Sequence, residues 1–148
     1  MSARMVDRIG LRFGAGLSAV VLLAAFAFDL AVLVPIVGVA LLVGAVFGPA
    51  ASPMSLLYRA LRATVLRRVR PDPEPAAPPR FAMTLGAFVL AAASLAFFVY
   101  EARAVGWGFT LAVAALQVLL AGAGICVGCE IYLLLKRLQT PRSGRGVA

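Results

Sequence analysis

Apolar residues run almost unbroken from position 13 to 48, again from Phe81 to Tyr100, and again from Trp107 to Leu135. As one helix the first run would measure about 54 Å, too long for a hydrocarbon core of about 30 Å. Asp29 and Pro35 divide it. The pattern predicts a tight hairpin, with helices over about 9–28 and 30–47. The later runs predict a third helix over about 81–100 and a fourth over about 107–135, closed by Lys136 and Arg137. Arg12 lies inside the first span and must snorkel toward headgroups.

Between the second and third runs the pattern changes. Gly48-Pro49 ends the second helix, and Pro53 opens a helix predicted over 53–70. Met54, Leu57, Tyr58, Leu61 and Val65 share one face, and Arg59, Arg62 and Arg67 lie off it, with no acid in the segment to balance them. That is the pattern of an amphipathic helix in the membrane surface with arginines on anionic headgroups; a helix packed beneath the bundle is the plainer alternative. PDPEPAAPP follows, and residues 71–79 are expected to form an extended strap between membrane elements rather than a peptide ligand. The polar tail, 138–148, is expected to lack regular structure. Arg4, Arg8 and Arg12 before an apolar run ending Ala25-Phe26-Ala27 also resemble a cleaved signal peptide. The length of that run, and its continuation into the next span, argue for a retained helix.

Composition sharpens the class. The chain of 148 residues is 63% hydrophobic and 14% charged. A soluble domain of that size cannot hide so much apolar surface. The net charge of +8 would suggest nucleic acid in a soluble protein. Here the basic residues flank apolar runs, so anionic lipid and topology account for them and nucleic acid is excluded as a partner. Arginines cluster before the first helix, between the second and third, and after the fourth, whereas the two opposite loops hold only Asp29, Glu101 and Arg103. The positive-inside rule then puts both termini in the cytoplasm. The expected fold is a single all-α membrane domain over 1–148, with four transmembrane helices as two hairpins plus a cytoplasmic amphipathic surface helix, multi-pass in the cell membrane.

The chemistry concentrates near the carboxyl end, in GICVGCEIY. Cys126 and Cys129 are the only cysteines, and Glu130 follows at once. Counting from Trp107 at the outer interface, Cys126 lies about 28 Å deeper, at the cytoplasmic boundary, where thiols rest reduced. Quinone-linked thiol oxidases that work outside the cell would want the opposite face. On an unbroken helix the two Cβ atoms would be about 5–6 Å apart, too far for a disulfide. The thiols would also stand at a helix carboxyl end, where the dipole opposes the thiolate. A reactive pair therefore requires the helix to break near Gly124 and restart, as Gly122, Gly124 and Gly128 permit. Glu130 is placed to carry protons for Cys126, or to pair with a cation on another helix; Arg12 and Arg80 lie at a similar depth. The sequence contains no histidine, and two cysteines cannot build a four-ligand zinc site in one chain. No metal and no cofactor are expected.

The glycines support a second reading. Gly124 and Gly128, Gly44 and Gly48, and Gly10 and Gly14 are each four apart, as are Ala82 and Gly86. Small residues at this spacing let helices approach closely. They predict a bundle pinched on the cytoplasmic side, with the cysteines as further small residues in the pinch.

CVGCEIY followed by Leu133-Leu134, FGPAASPMSLLYR after the second helix and PPRFA before the third together resemble the bacterial family catalogued as domain of unknown function 4395 (DUF4395). The likeness covers nearly the whole chain, and the cysteine motif is its most specific part. The resemblance implies a small integral membrane protein, encoded near thioredoxin-like and sulfurtransferase-like proteins. It makes Cys126, Cys129, Glu130 and Tyr132 the candidate residues. Two functions stand side by side: a membrane dithiol exchanging electrons or sulfur with a thioredoxin-like or sulfurtransferase-like partner, and a non-catalytic scaffold whose cysteines pack a glycine seam.

Overall fold

The computed structural model describes residues 5–65, 67–68, 70, 73–75 and 77–139. They form six helices: α1 (Arg8–Ala27), α2 (Leu33–Phe47), α3 (Pro53–Thr64), α4 (Ala77–Phe98), α5 (Arg103–Ala123) and α6 (Val127–Gln139). The expected tail lies mostly beyond them, since residues 140–148 fall outside the described part.

Local chemistry sets the helix ends. Asp7 caps α1 by accepting from the Ile9 amide at 3.1 Å. Gly48, at φ 105°, turns the chain out of α2. Ser52 caps α3 at the Ser55 amide, with Pro53 in the first turn. α4 starts at Ala77, four residues before the expected Phe81. Pro78 and Pro79 sit in its first turn, where a missing N–H costs no helical hydrogen bond.

α1 packs along α5, α2 along α4, and α4 also along α5. The main core lies toward the end that carries Asp29 and Trp107. It joins Leu22, Val34, Val37, Leu90, Ala93, Phe97, Val113 and Ala114. Trp107 closes it, edge-on to Phe26 and Phe97. Gly106 is required there, because a Cβ would meet the Phe97 ring at 2.8 Å.

α1, α4 and α5 are each long and apolar enough to cross a membrane, and α2 is an apolar helix of 15 residues. No more than 33% of the apolar window of any of the three is buried. The rest, including Val20, Phe88 and Val118, faces outward, as lipid-facing surface does.

Three sequence expectations change. The run over 107–135 is two helices, α5 and α6, separated at Gly124. The amphipathic helix stops at Thr64 rather than 70, and its buried residues are Ser55 and Tyr58, directed at α1. Leu57 is 45% and Val65 74% exposed. The unbalanced arginines are also partly balanced, because Asp7 pairs with Arg62 at 3.4 Å. Of the strap expected over 71–79, Pro73–Pro75 is extended and paired, while Ala77, Pro78 and Pro79 already belong to α4: β2 (Pro73–Pro75) runs antiparallel to β1 (Met5–Asp7), Val6 opposite Glu74. Of the β2 residues only Glu74 has a backbone N–H to give.

Candidate functional site

Gly124 lies at the end of α5 in the left-handed region, φ 72° and ψ 14°. A left-handed residue at this position is the usual terminator of a helix, and glycine adopts it without a Cβ clash. The chain restarts as α6 three residues later and packs against α4. The condition for a reactive pair, a break near Gly124, is therefore met.

The restart is organised by Cys126. Its carbonyl accepts the first helical hydrogen bond, from the Glu130 amide at 3.0 Å. Its Sγ accepts from the Cys129 amide at 3.3 Å. Cys126 thus stands in the capping position of α6, where serine or aspartate is usual. Backbone amides and the positive end of the helix both favour negative charge on its sulfur. Cys129 follows one turn on. Both cysteines are half-buried.

Two arginines bracket the break. Arg12 donates from Nε and Nη2 to the Ala121 carbonyl at 3.2 and 2.9 Å, and from Nη2 to the Gly122 carbonyl at 3.0 Å. It satisfies carbonyls left open where α5 ends. A Cβ on Gly124 would lie 3.6 Å from Arg8 Nη2 and 3.7 Å from Arg12 Cζ. Arg80 performs the same task on α2, donating to the carbonyls of Ala45 at 2.9 Å and Val46 at 2.8 Å.

No direct ion pair joins Glu130 to Arg12 or Arg80. The ion pairs among the described residues join Arg62 to Asp7 and Arg103 to Asp29. Glu130 is exposed in the first turn of α6, where the helix dipole favours a carboxylate. Its neighbourhood to the thiols stands nevertheless, since Cys126, Cys129 and Glu130 line one cavity of about 510 Å³ among α1, α2, α4, α5 and α6. Tyr132 stands outside that cavity, its ring 5.6 Å from that of Phe81.

The glycines divide by role. Gly128 is a seam residue, because a Cβ there would meet Ala82 Cβ at 2.6 Å and Cα at 2.9 Å. Gly44 fits beneath Met83 and Ser52. Gly10 accommodates the Tyr58 ring rather than another small residue. Gly48 and Gly124 serve as turns with positive φ. Arg59 and Arg67 are exposed on the α3 side of the molecule.

Two positions take on a place only in the structure. Asp7 holds α3 down, accepting from Tyr58 Oη at 3.3 Å and from Arg62; its place just before an apolar run is itself a capping signal. Gln117 lines the cavity with Oε1 buried and without a hydrogen-bond partner. It is the one strongly polar side chain inside α5, which was the available clue.

No curated protein and no solved structure matches the chain. A family model described as "Domain of unknown function (DUF4395)" matches residues 6–137, most of the chain. On that match, the protein belongs to the DUF4395 family.

Proposed function

We propose that the protein is a multi-pass protein of the cell membrane whose Cys126 and Cys129 exchange disulfides with a cytoplasmic thioredoxin-like partner. α1, α2, α4 and α5 are the four spans, both termini are cytoplasmic, and Arg59 and Arg67 rest on anionic headgroups. The carrying observation is the hydrogen bond from the Cys129 amide to Cys126 Sγ at the head of a restarted helix. That placement prepares one sulfur as the nucleophile and holds a second within one turn.

The Cys126 thiolate attacks one sulfur of the partner's disulfide. A mixed disulfide forms, and the partner's other sulfur leaves as a thiolate. Cys129 then gives up its proton and attacks Cys126 Sγ. The Cys126–Cys129 disulfide forms and the partner leaves reduced, having gained two electrons and two protons. A partner dithiol drives the same steps in reverse.

Purified full-length protein, equilibrated in glutathione or dithiothreitol buffers and trapped with a thiol-specific mass tag, tests this. A reversible intramolecular disulfide is expected, with Cys126 alkylated faster than Cys129 at pH 7. Cys126→Ser and Cys129→Ser should each abolish the disulfide. Thiols that stay reduced under mild oxidation and alkylate slowly at equal rates would overturn it.

The approach of Gly128 to Ala82 favours a second reading, a scaffold with a small-residue seam. That seam runs beside the cysteines without needing them, so Cys→Ala variants would leave a scaffold intact and disable a dithiol.

A further inference from the structure

The cavity beside the dithiol has three properties that together specify an occupant. It is not sealed: Leu85, Leu116 and Leu133 line it and are 40%, 46% and 41% exposed, so an apolar molecule dissolved in the bilayer is a candidate occupant. It is apolar over most of its wall, yet it holds Gln117, whose buried Oε1 has no partner. A buried amide oxygen without a donor costs free energy that a ligand hydroxyl can recover. At one end stand the two thiols and Glu130. Gln117 precedes Gly124 by seven residues on α5, about 10 Å along the axis. The cavity of about 510 Å³ has room for one ring-sized group.

We propose that this cavity binds a lipid-soluble quinone, which oxidises the Cys126–Cys129 dithiol. The proposal rests on the dithiol reading and names the electron acceptor for it. An acyl chain would leave Gln117 as it is. A quinone carbonyl can instead accept from Gln117 Nε2, and the hydroquinone hydroxyl can donate to Oε1 after a half-turn of the amide, so one side chain serves both oxidation states. In the reaction the Cys126–Cys129 bond forms, the two sulfurs lose two electrons and two protons, and the quinone oxygens become two hydroxyls. Glu130, at the same end, takes the proton that leaves Cys126 and can return it to the ring oxygen. Electrons then reach the dithiol from reduced thioredoxin-like protein on the cytoplasmic side and leave through the membrane.

The test uses the full chain in nanodiscs with decylubiquinone, whose fully substituted ring resists thiol addition. Quinone absorbance and free thiols are followed together. One hydroquinone per two thiols lost is expected in the wild type, and none in Cys126→Ser or Cys129→Ser. Gln117→Leu should raise the KM for decylubiquinone about tenfold, the loss of roughly one hydrogen bond. Its oxidation by glutathione disulfide should be unchanged, which shows that the variant is folded and its thiols competent. If Gln117→Leu fails to fold, Gln117→Glu serves, with the same expectation at a pH where the acid is ionised. Thiols that glutathione disulfide oxidises but excess decylubiquinone does not would overturn the quinone and leave the dithiol standing. Thiols inert to both would overturn both. Equal KM for wild type and Gln117→Leu would remove Gln117 from the site and overturn the proposal as built.

Discussion

The two ends of the helical bundle are built on opposite principles. At the end bearing Trp107, four helices meet through side chains: Leu22, Val34 and Leu90 are fully buried, and Phe97 and Trp107 stack edge to face. The chain reverses there through short turns at Asp29 and Glu101, with Arg103 on Asp29. At the end bearing Cys126, arginines replace side-chain packing. Arg12 and Arg80 each bind the open carbonyls of a helix end, and α3 is held through Asp7 and Tyr58. Polar caps fix where helices stop without filling the space between them, and a cavity remains. A tightly packed apolar end and an open hydrogen-bonded end leave Cys126 and Cys129 beside a cavity in an otherwise well-packed bundle.

The sharpest way to break this comparison is the same substitution at each end. Leu90→Ala should destabilise the protein by about 3 kcal/mol, since Leu90 is fully buried and the site cannot collapse. Leu116→Ala, on the cavity wall and half exposed, should cost less than about 1 kcal/mol. Thermal unfolding in one detergent measures both. Equal losses would mean that the cavity end is as tightly packed as the other.

Next in size is the removal of a cap. Arg12→Met keeps the apolar stem and removes hydrogen bonds to the Ala121 and Gly122 carbonyls. A loss of about 2 kcal/mol is expected, as for hydrogen bonds from a charged donor. The same change should speed hydrogen exchange in the last turn of α5 and leave the turn at Asp29 protected. Uniform exchange at both ends would deny the division.

The apolar end was largely legible from the sequence and the open end only in part. Long apolar runs specify helices whatever they pack against, so α1, α2 and α4 lie within a few residues of the expected bounds, whereas the run over 107–135 divides into α5 and α6. The amphipathic pattern of α3 does not show its polar partner, because Asp7 lies some fifty residues away and no local charge count can reveal it. Arg12 and Arg80 are, from the sequence, candidate partners of Glu130. Their partners proved to be backbone carbonyls, which every residue carries and which no pattern marks. Gly124 carried two possible meanings, seam or turn. Spacing points to the seam; the left-handed backbone at φ 72° shows the turn. The thiol geometry followed from that choice.

Gly124 also gives the prediction that links structure to chemistry. At φ 72° an alanine is strained by about 1–2 kcal/mol. Gly124→Ala should destabilise by that amount, or straighten α5 into α6. In either case Cys126 loses part of its place at a helix start, and its alkylation at pH 7 should slow relative to Cys129. Gly122→Ala, at a position where a Cβ meets nothing within 4 Å, is the control and should change neither. An unchanged alkylation ratio in Gly124→Ala would separate the break from the reactivity.

The smallest effect concerns Tyr58, the buried residue that joins α3 to α1 at the open end. Burial, first, and the nearby Asp7 carboxylate, next, both disfavour a phenolate, so the Tyr58 hydroxyl titrates above the usual tyrosine range, while Arg62 opposes them. The folded state therefore binds this proton more tightly than the unfolded chain. Its contribution is fully present below pH about 10, the unfolded value, and is lost as pH rises through the folded one. Stability should fall at alkaline pH. Tyr58→Phe keeps the ring against Gly10 and Phe13 and removes the hydroxyl that donates to Asp7. It should cost about 1 kcal/mol at pH 7 and flatten the alkaline decline, measured as unfolding midpoints between pH 8 and about 11, the range that brackets the ordinary phenol. If Tyr58→Phe shows the same decline as the wild type, the alkaline weak point is not Tyr58, and the polar anchoring of α3 contributes less than its geometry suggests.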